Sequence, residues 1–180
     1  MKIVKGCLII ITAFLVILVV LFFVYRNSVI SSLENLSADA KSNWEAYIGT
    51  IDIRNQQLLR ANIKEDSLRQ YLNKSIEISK VEFSRDFEFL EYKINREAMN
   101  QNIKLEIEDK LNSSVDLYNQ SVRSYNVHRS TFPNSLIARK LNFPKNFKYF
   151  DIVRYGVENE NPTIKRAKID HWIKYGDPHP

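Results

Sequence analysis

The side chains able to do acid–base, nucleophilic or metal chemistry are few and far apart. His128, His171 and His179 are the three histidines. Asp170 with His171, and Asp177 with His179, come nearest to a metal-ligand set. Structural zinc sites hold Cys and His at tight, recurrent spacings, and neither pair extends into one. Cys7 is the single cysteine, so an intrachain disulfide is excluded. The sequence contains no glycine-rich phosphate loop, nucleophile elbow or Cys/His pair. Glu82, Glu88, Glu91, Glu106 and Glu108 fall where the solvated face of a helix would lie. A di-iron bundle needs inward Glu-x-x-His repeats, and no His precedes residue 128. The expectation is therefore a protein that is not an enzyme, with no catalytic residues, no metal ligands and no cofactor.

The elements that would position any site are organised around Leu8–Val24. This stretch carries no charge, and Thr12 is its one polar side chain. With Cys7 and Tyr25 it approaches the ~20 apolar residues a helix needs to cross a hydrocarbon core. Leu, Ile, Val and Phe dominate it, and at roughly −0.3 to −0.6 kcal/mol each they favour a spanning helix by several kcal/mol. A cleaved leader is the competing reading. Its apolar region would be shorter and followed by small residues, whereas Tyr25-Arg26-Asn27 follows here. Cys7 precedes the apolar run, so it is not a lipoprotein cysteine, although reversible acylation there is open. Lys2, Lys5 and the amino terminus lie on one side of the run and Arg26 on the other. The positive-inside rule then predicts a single-pass protein of the cell membrane, N-terminus cytoplasmic and body extracytoplasmic.

Roughly 155 residues remain after the anchor, enough for one domain. Glycine is scarce, and most prolines follow Thr131, which favours long helices and then irregular structure. Residues 1–27 carry +3, residues 28–122 carry −4 and residues 123–180 carry +6. The basic end suits anionic headgroups or an acidic partner, and equally a solvated tail. Nucleic acid is an unsuitable partner for a domain outside the membrane, and no recognition motif supports one.

Ser28–Leu59 predicts a helix, with Val29, Leu33, Leu36, Ala40, Trp44, Tyr47, Ile51 and Leu58 on one stripe. No breaker separates it from the anchor, so the two can form one rod, with Gly49 a mild weak point. Trp44 is expected in the core. A connection follows at Ala61–Asp66, with Asn62 placed to cap what comes next. A second helix is expected from Ile63 to Asn95, with one seam of Leu68, Leu72, Ile76, Phe83, Phe87, Leu90 and Ile94. A second seam is Tyr71, Ile78, Val81, Phe89 and Tyr92. Ile76-Glu77-Ile78, Val81-Glu82-Phe83 and Phe87-Glu88-Phe89 alternate as strands do, but the phase changes and no turn residue punctuates them. Asn95–Gln101 has the composition of a turn. A third helix, Ile103–His128, carries the stripe Ile107, Leu111, Val115, Tyr118, Val122 and Tyr125. The expected fold is all-α: a transmembrane helix followed by an antiparallel up-and-down bundle of three or four long helices.

Tyr118-Asn119 recurs as Tyr125-Asn126. Phe132-Pro133, Leu136, Ala138, Phe143 and Tyr149-Phe150 follow. Pro133 ends the helix, after which Leu136, Ile137 and Phe143 are expected to fold over the end of the bundle. This series resembles the C-terminal pattern of the LemA family, and the N-terminal anchor and Trp44 fit that family too. The resemblance is closest over Tyr118–Phe150 and extends over residues 1–150. Asn142 stands where the family often has Gly, and no LIPNLV-like stretch is recognisable at Gln57–Asn62. The resemblance implies a membrane-anchored helical protein, and it brings no catalytic residues with it.

Domains are expected at 1–27 (cytoplasmic N-terminus and anchor), 28–150 (LemA-like bundle) and 151–180 (a basic, aromatic and mostly mobile tail). A short helix is conceivable at Thr163–Tyr175 in that tail. The function expected is a non-catalytic membrane scaffold or adaptor, its partners the lipid bilayer and a membrane protein. The alternative is a lipid-surface protein that binds or shapes the membrane through its basic C-terminal part.

Overall fold

A computed structural model describes residues 2–78, 80, 82–150 and 154–176, with side chains from residue 11 onward except that of Ile173. Its helices are α1 (Lys2–Arg60), α2 (Asp66–Glu77), α3 (Arg85–Asn100), α4 (Glu108–Ser130), α5 (Asn134–Lys140) and α6 (Pro162–Tyr175). Among the described residues there is no strand, so the protein is all-α: one long apolar N-terminal helix followed by a helical bundle.

The apolar N-terminal segment and the first bundle helix are one 59-residue helix. No proline interrupts it, and the one glycine in its bundle part, Gly49, has open space where a Cβ would be. Its apolar segment has a mean hydropathy of 2.3, with only 6% of that window buried. It is an N-terminal apolar helix compatible with a membrane anchor. From Val29 on, the predicted stripe is buried, with Leu36 half-buried.

The second expected helix is in fact two. Ile78 is extended (φ −67°, ψ 139°) and ends α2. Ser84 then restarts the chain as the N-cap of α3, its hydroxyl accepting from the Phe87 N–H at 3.1 Å. Asp86 and Glu88 in the first turn favour that helix start. The break coincides with the change of phase in the Ile76–Phe83 alternation. Ile76 is exposed as a result, not part of a seam. Other ends also shift. Glu65, not Asn62, occupies the N-cap of α2 and makes no side-chain cap bond. The expected turn at Asn95 is still helix, since α3 runs to Asn100. The third helix, expected from Ile103, starts at Glu108 as α4; its predicted stripe, including Ile107 just ahead of the helix, is buried.

The chain forms two compact units, one from Met1–Asp39 and Ser124–Phe147, the other from Ala40–Arg123 and Lys148–Pro180. In unit 1, Val29 and Leu33 of α1 pack with Tyr125, Ile137 and Ala138, and Phe143 and Phe147 cover them. Asn142 has a left-handed φ of 56° just past α5. Asn is among the few non-glycine residues that visit this region readily, which suits a position where the LemA pattern often has Gly. In unit 2, Leu58, Ile63, Leu68, Leu72, Leu90 and Ile94 form an aliphatic core. A second, aromatic core surrounds Trp44, whose ring lies 5.0–6.3 Å from those of Tyr47, Phe83, Phe87, Tyr118 and Phe150. Its indole N–H donates to the Lys80 carbonyl at 2.8 Å. Each large apolar side chain so buried contributes roughly 1.5–3 kcal/mol.

The expectation of a mostly mobile tail does not describe residues 154–176. Tyr155 is buried. Helix α6 is capped at its start by Asn161 and at its end by a left-handed Gly176, and it packs on α3.

Candidate functional site

Asn112, Asn119 and Asn126 are spaced by seven along α4, which puts them on one face. Each grips the backbone of a single downstream residue twice. In unit 1, the Phe147 N–H donates to Asn126 Oδ1 at 3.0 Å, and Asn126 Nδ2 donates to the Phe147 carbonyl at 3.0 Å. Tyr125 adds its hydroxyl to the Pro144 carbonyl at 2.8 Å. In unit 2, Asn119 holds Phe150 in the same way at 2.9 and 2.7 Å, and Tyr118 donates to the Lys148 carbonyl at 2.7 Å. Asn112 holds Tyr155 at 2.9 and 3.2 Å. On α3, Asn95 accepts from the Gly156 N–H at 3.0 Å and donates to the Val157 carbonyl at 2.9 Å. A primary amide presents one donor and one acceptor as a peptide does. It therefore satisfies an extended backbone that has no strand neighbour.

Tyr155 leads into a buried polar cluster of unit 2. Arg54 Nη2 lies 2.8 Å from Glu91 Oε1, with the two side chains 1% and 0% exposed. The Tyr155 hydroxyl donates to Glu91 Oε2 at 2.9 Å and meets the Tyr47 hydroxyl at 2.5 Å. Arg54 Nε donates to Asn55 Oδ1 at 2.9 Å, and Ser75 bridges Asn55 and Glu91 at 3.3 and 3.4 Å. Burial pushes both phenols well above the ordinary tyrosine range, and the Glu91 carboxylate pushes them further. Burial opposes the Arg54 charge, but Glu91 and Tyr155 more than offset it. These groups are turned on one another and closed off from solvent. As folded, their chemistry is to pin the 155 region to α1 and α3.

The residues singled out from the sequence scatter. Glu82 and Glu106 are exposed and Glu108 is half-buried, but Glu88 and Glu91 are buried, contrary to the expected solvated face. A second ion pair explains Glu88: the Arg166 guanidinium of α6 binds its carboxylate. In unit 1, the His128 carbonyl accepts from Asn134 Nδ2 at 3.1 Å. In unit 2, the His171 ring lies 4.7 Å from that of Tyr175, tilted by 45°, and Asp170 is exposed. Asp177 and His179 lie outside the described residues, as do the side chains of Cys7, Lys2 and Lys5. Among the described residues, no three His, Cys, Asp or Glu side chains gather as a metal site.

Unit 1 contains an open groove of about 640 Å³ beside the end of the apolar segment. Phe22, Phe23 and Arg26 of α1 form one wall, and Leu136, Lys140 and Leu141 form the other. The Tyr25 hydroxyl donates to Asn134 Oδ1 and ties the walls together. Ile137 and Phe143 pack inward as expected, but Leu136 does not fold over the core and stays 55% exposed. Phe132 is 76% exposed. This groove was not legible from the sequence, because its walls come from segments more than a hundred residues apart.

No curated protein and no solved structure matches the chain. The family model does not stop at Phe150, where the sequence resemblance had been placed, but runs on into α6 and takes in all the asparagine clamps. That model is the LemA family, and residues 89–165 of the chain match it.

Proposed function

We propose that the chain is a single-pass membrane scaffold or adaptor of LemA type without catalytic activity. The observation that carries this reading is the unbroken α1. The apolar segment continues without a break into the first bundle helix. Asn95, Asn112, Asn119 and Asn126 hold the chain's own backbone and the buried Arg54, Glu88 and Glu91 are paired within the chain, which suits a body that acts by contact. The flanking charges, Lys2 and Lys5 against Arg26, favour a cytoplasmic N-terminus and an extracytoplasmic body at the cell membrane. Its partners are the bilayer and a membrane protein, and nucleic acid is not among them.

The test is recovery of partners from detergent extracts by the full-length chain and by a form lacking residues 1–27. The same membrane proteins should accompany the full-length chain repeatedly and should be lost with the truncation. Recovering only abundant background proteins in both cases would refute the adaptor reading.

A further inference from the structure

The groove of unit 1 has two properties that together specify its occupant. It is continuous with the anchor, since Phe22 and Phe23 belong both to the apolar segment and to the groove wall. It is also rimmed by positive charge. Arg26 and Lys140 line it, and residues 124–147 hold four Lys or Arg and no Asp or Glu. Its volume of about 640 Å³ lies within the ~300–1,000 Å³ of small-ligand sites. At the end of a spanning helix the surroundings change from acyl chain to headgroup, and Phe22–Arg26 crosses that change in chemistry within a few residues.

We infer that this groove seats one anionic phospholipid of the surrounding leaflet. The upper acyl chain lies against Phe22, Phe23, Leu136 and Leu141. The phosphate and its anionic headgroup meet Arg26 and Lys140. The exposed Phe132 and Leu136 enter the interface beside it. Helix α6 is a poorer lipid-binding element although it too is basic, because Arg166 is paired with Glu88 and Lys168 with Glu160.

The inference rests on the anchored reading, and the test separates the two. Full-length protein in detergent micelles is titrated with dioleoylphosphatidylglycerol or dioleoylphosphatidylcholine, and retained lipid is read by native mass spectrometry. One phosphatidylglycerol should be retained in clear preference to phosphatidylcholine. In the R26Q/K140Q variant that retention should weaken by about thirty-fold, as expected for two cationic contacts at an anionic surface. A K41Q/K64Q variant, with the same change in net charge, should keep it. Equal retention of the two lipids by the unsubstituted chain would overturn the inference, as would equal losses in both double variants. A parallel alkaline carbonate wash of membranes tests the anchor. Release of the full-length chain would remove the anchor and the groove's lipid with it. Retention without a lipid preference would sink the groove alone.

Discussion

In unit 2 a guanidinium and two carboxylates lie where apolar side chains ordinarily go, whereas in unit 1 leucine and phenylalanine lie where polar ones do. The two departures resolve differently. Arg54, Glu91 and Tyr155 satisfy one another at 2.8–2.9 Å, and Glu88 has Arg166. Unit 2 thus answers its own oddity with side chains of the same chain, and fixed geometry is the result. Phe132, Leu136 and Leu141 are exposed, and so is the apolar segment of α1 from Ile11 to Val24. The exposed apolar segment in unit 1 is compatible with a membrane anchor. A buried polar cluster says how the molecule is built, and an exposed apolar one says what it touches.

The sharpest way to break this contrast is at Glu91. Replacing it with Gln keeps the volume and removes the charge Arg54 faces. An uncompensated buried charge costs about 3–5 kcal/mol, so thermal unfolding followed by circular dichroism should shift down by roughly 10 °C. The R54M/E91L double variant should recover much of that loss, because a buried pair replaced as a unit is often near neutral. A shift of under roughly 3 °C for E91Q would mean that water reaches the pair and that unit 2 is not closed.

The asparagine clamps allow a comparison of like with like. Asn119→Ala leaves the N–H and C=O of the fully buried Phe150 without partners, at about 1–3 kcal/mol each. Asn126→Ala does the same to Phe147, which is only half-buried, so water can replace the lost bonds there. The first should therefore destabilise by about 2–6 kcal/mol and the second by less. Hydrogen exchange at the Phe150 and Phe147 amides checks the order, and a larger effect at Phe147 would reverse the argument.

Alkaline titration separates the units by a smaller margin. In unit 2, burial raises Tyr47, Tyr155 and Tyr118, with nearby carboxylates adding to the rise. In unit 1, burial raises Tyr125. Unfolded tyrosines ionise near 10, whereas the folded ones stay neutral to higher pH. Their contribution is therefore complete below pH 10 and is lost as pH rises from there towards the folded values. The slope is about 1.4 kcal/mol per pH unit for each such group. Tyr47→Phe should make the fall shallower by about that amount, read from denaturation midpoints between about pH 9 and 12. An unchanged slope would show that Tyr47 ionises freely in the fold.

The parts of the fold that could be read in advance are those written in one uninterrupted period. The stripes of α1 and α4 persist for many turns, and Val29 to Leu58 and Ile107 to Tyr125 went where their spacing placed them. The break between α2 and α3 was hidden because a serine cap makes it, with neither Gly nor Pro to announce it. Glu88 and Glu91 were read as surface because their partners are remote. Arg54 is 37 residues away from Glu91, Tyr155 is 64 away, and Arg166 is 78 from Glu88. The Tyr-Asn repeat was visible, but not its role as a backbone clamp. Leu111-Asn112, seven residues earlier, was the overlooked signal: it extends the repeat to a third turn of the same face, and Asn112 holds Tyr155.

The smallest expected stability change carries the most weight for unit 1. Leu136→Gln keeps a side chain compatible with helix α5 and removes apolar surface that is already 55% exposed. If Leu136 served the core, the loss would cost ~2 kcal/mol or more. If it faces an outside apolar phase, the fold should be indifferent to it within about 0.5 kcal/mol. Thermal unfolding in detergent should then match that of the unsubstituted chain, while retained phosphatidylglycerol falls because an amide now sits against the acyl chain. A marked drop in thermal stability would assign Leu136 to the core after all. In that case unit 1, like unit 2, would be accounting for its own surface, and the contrast between the two would disappear.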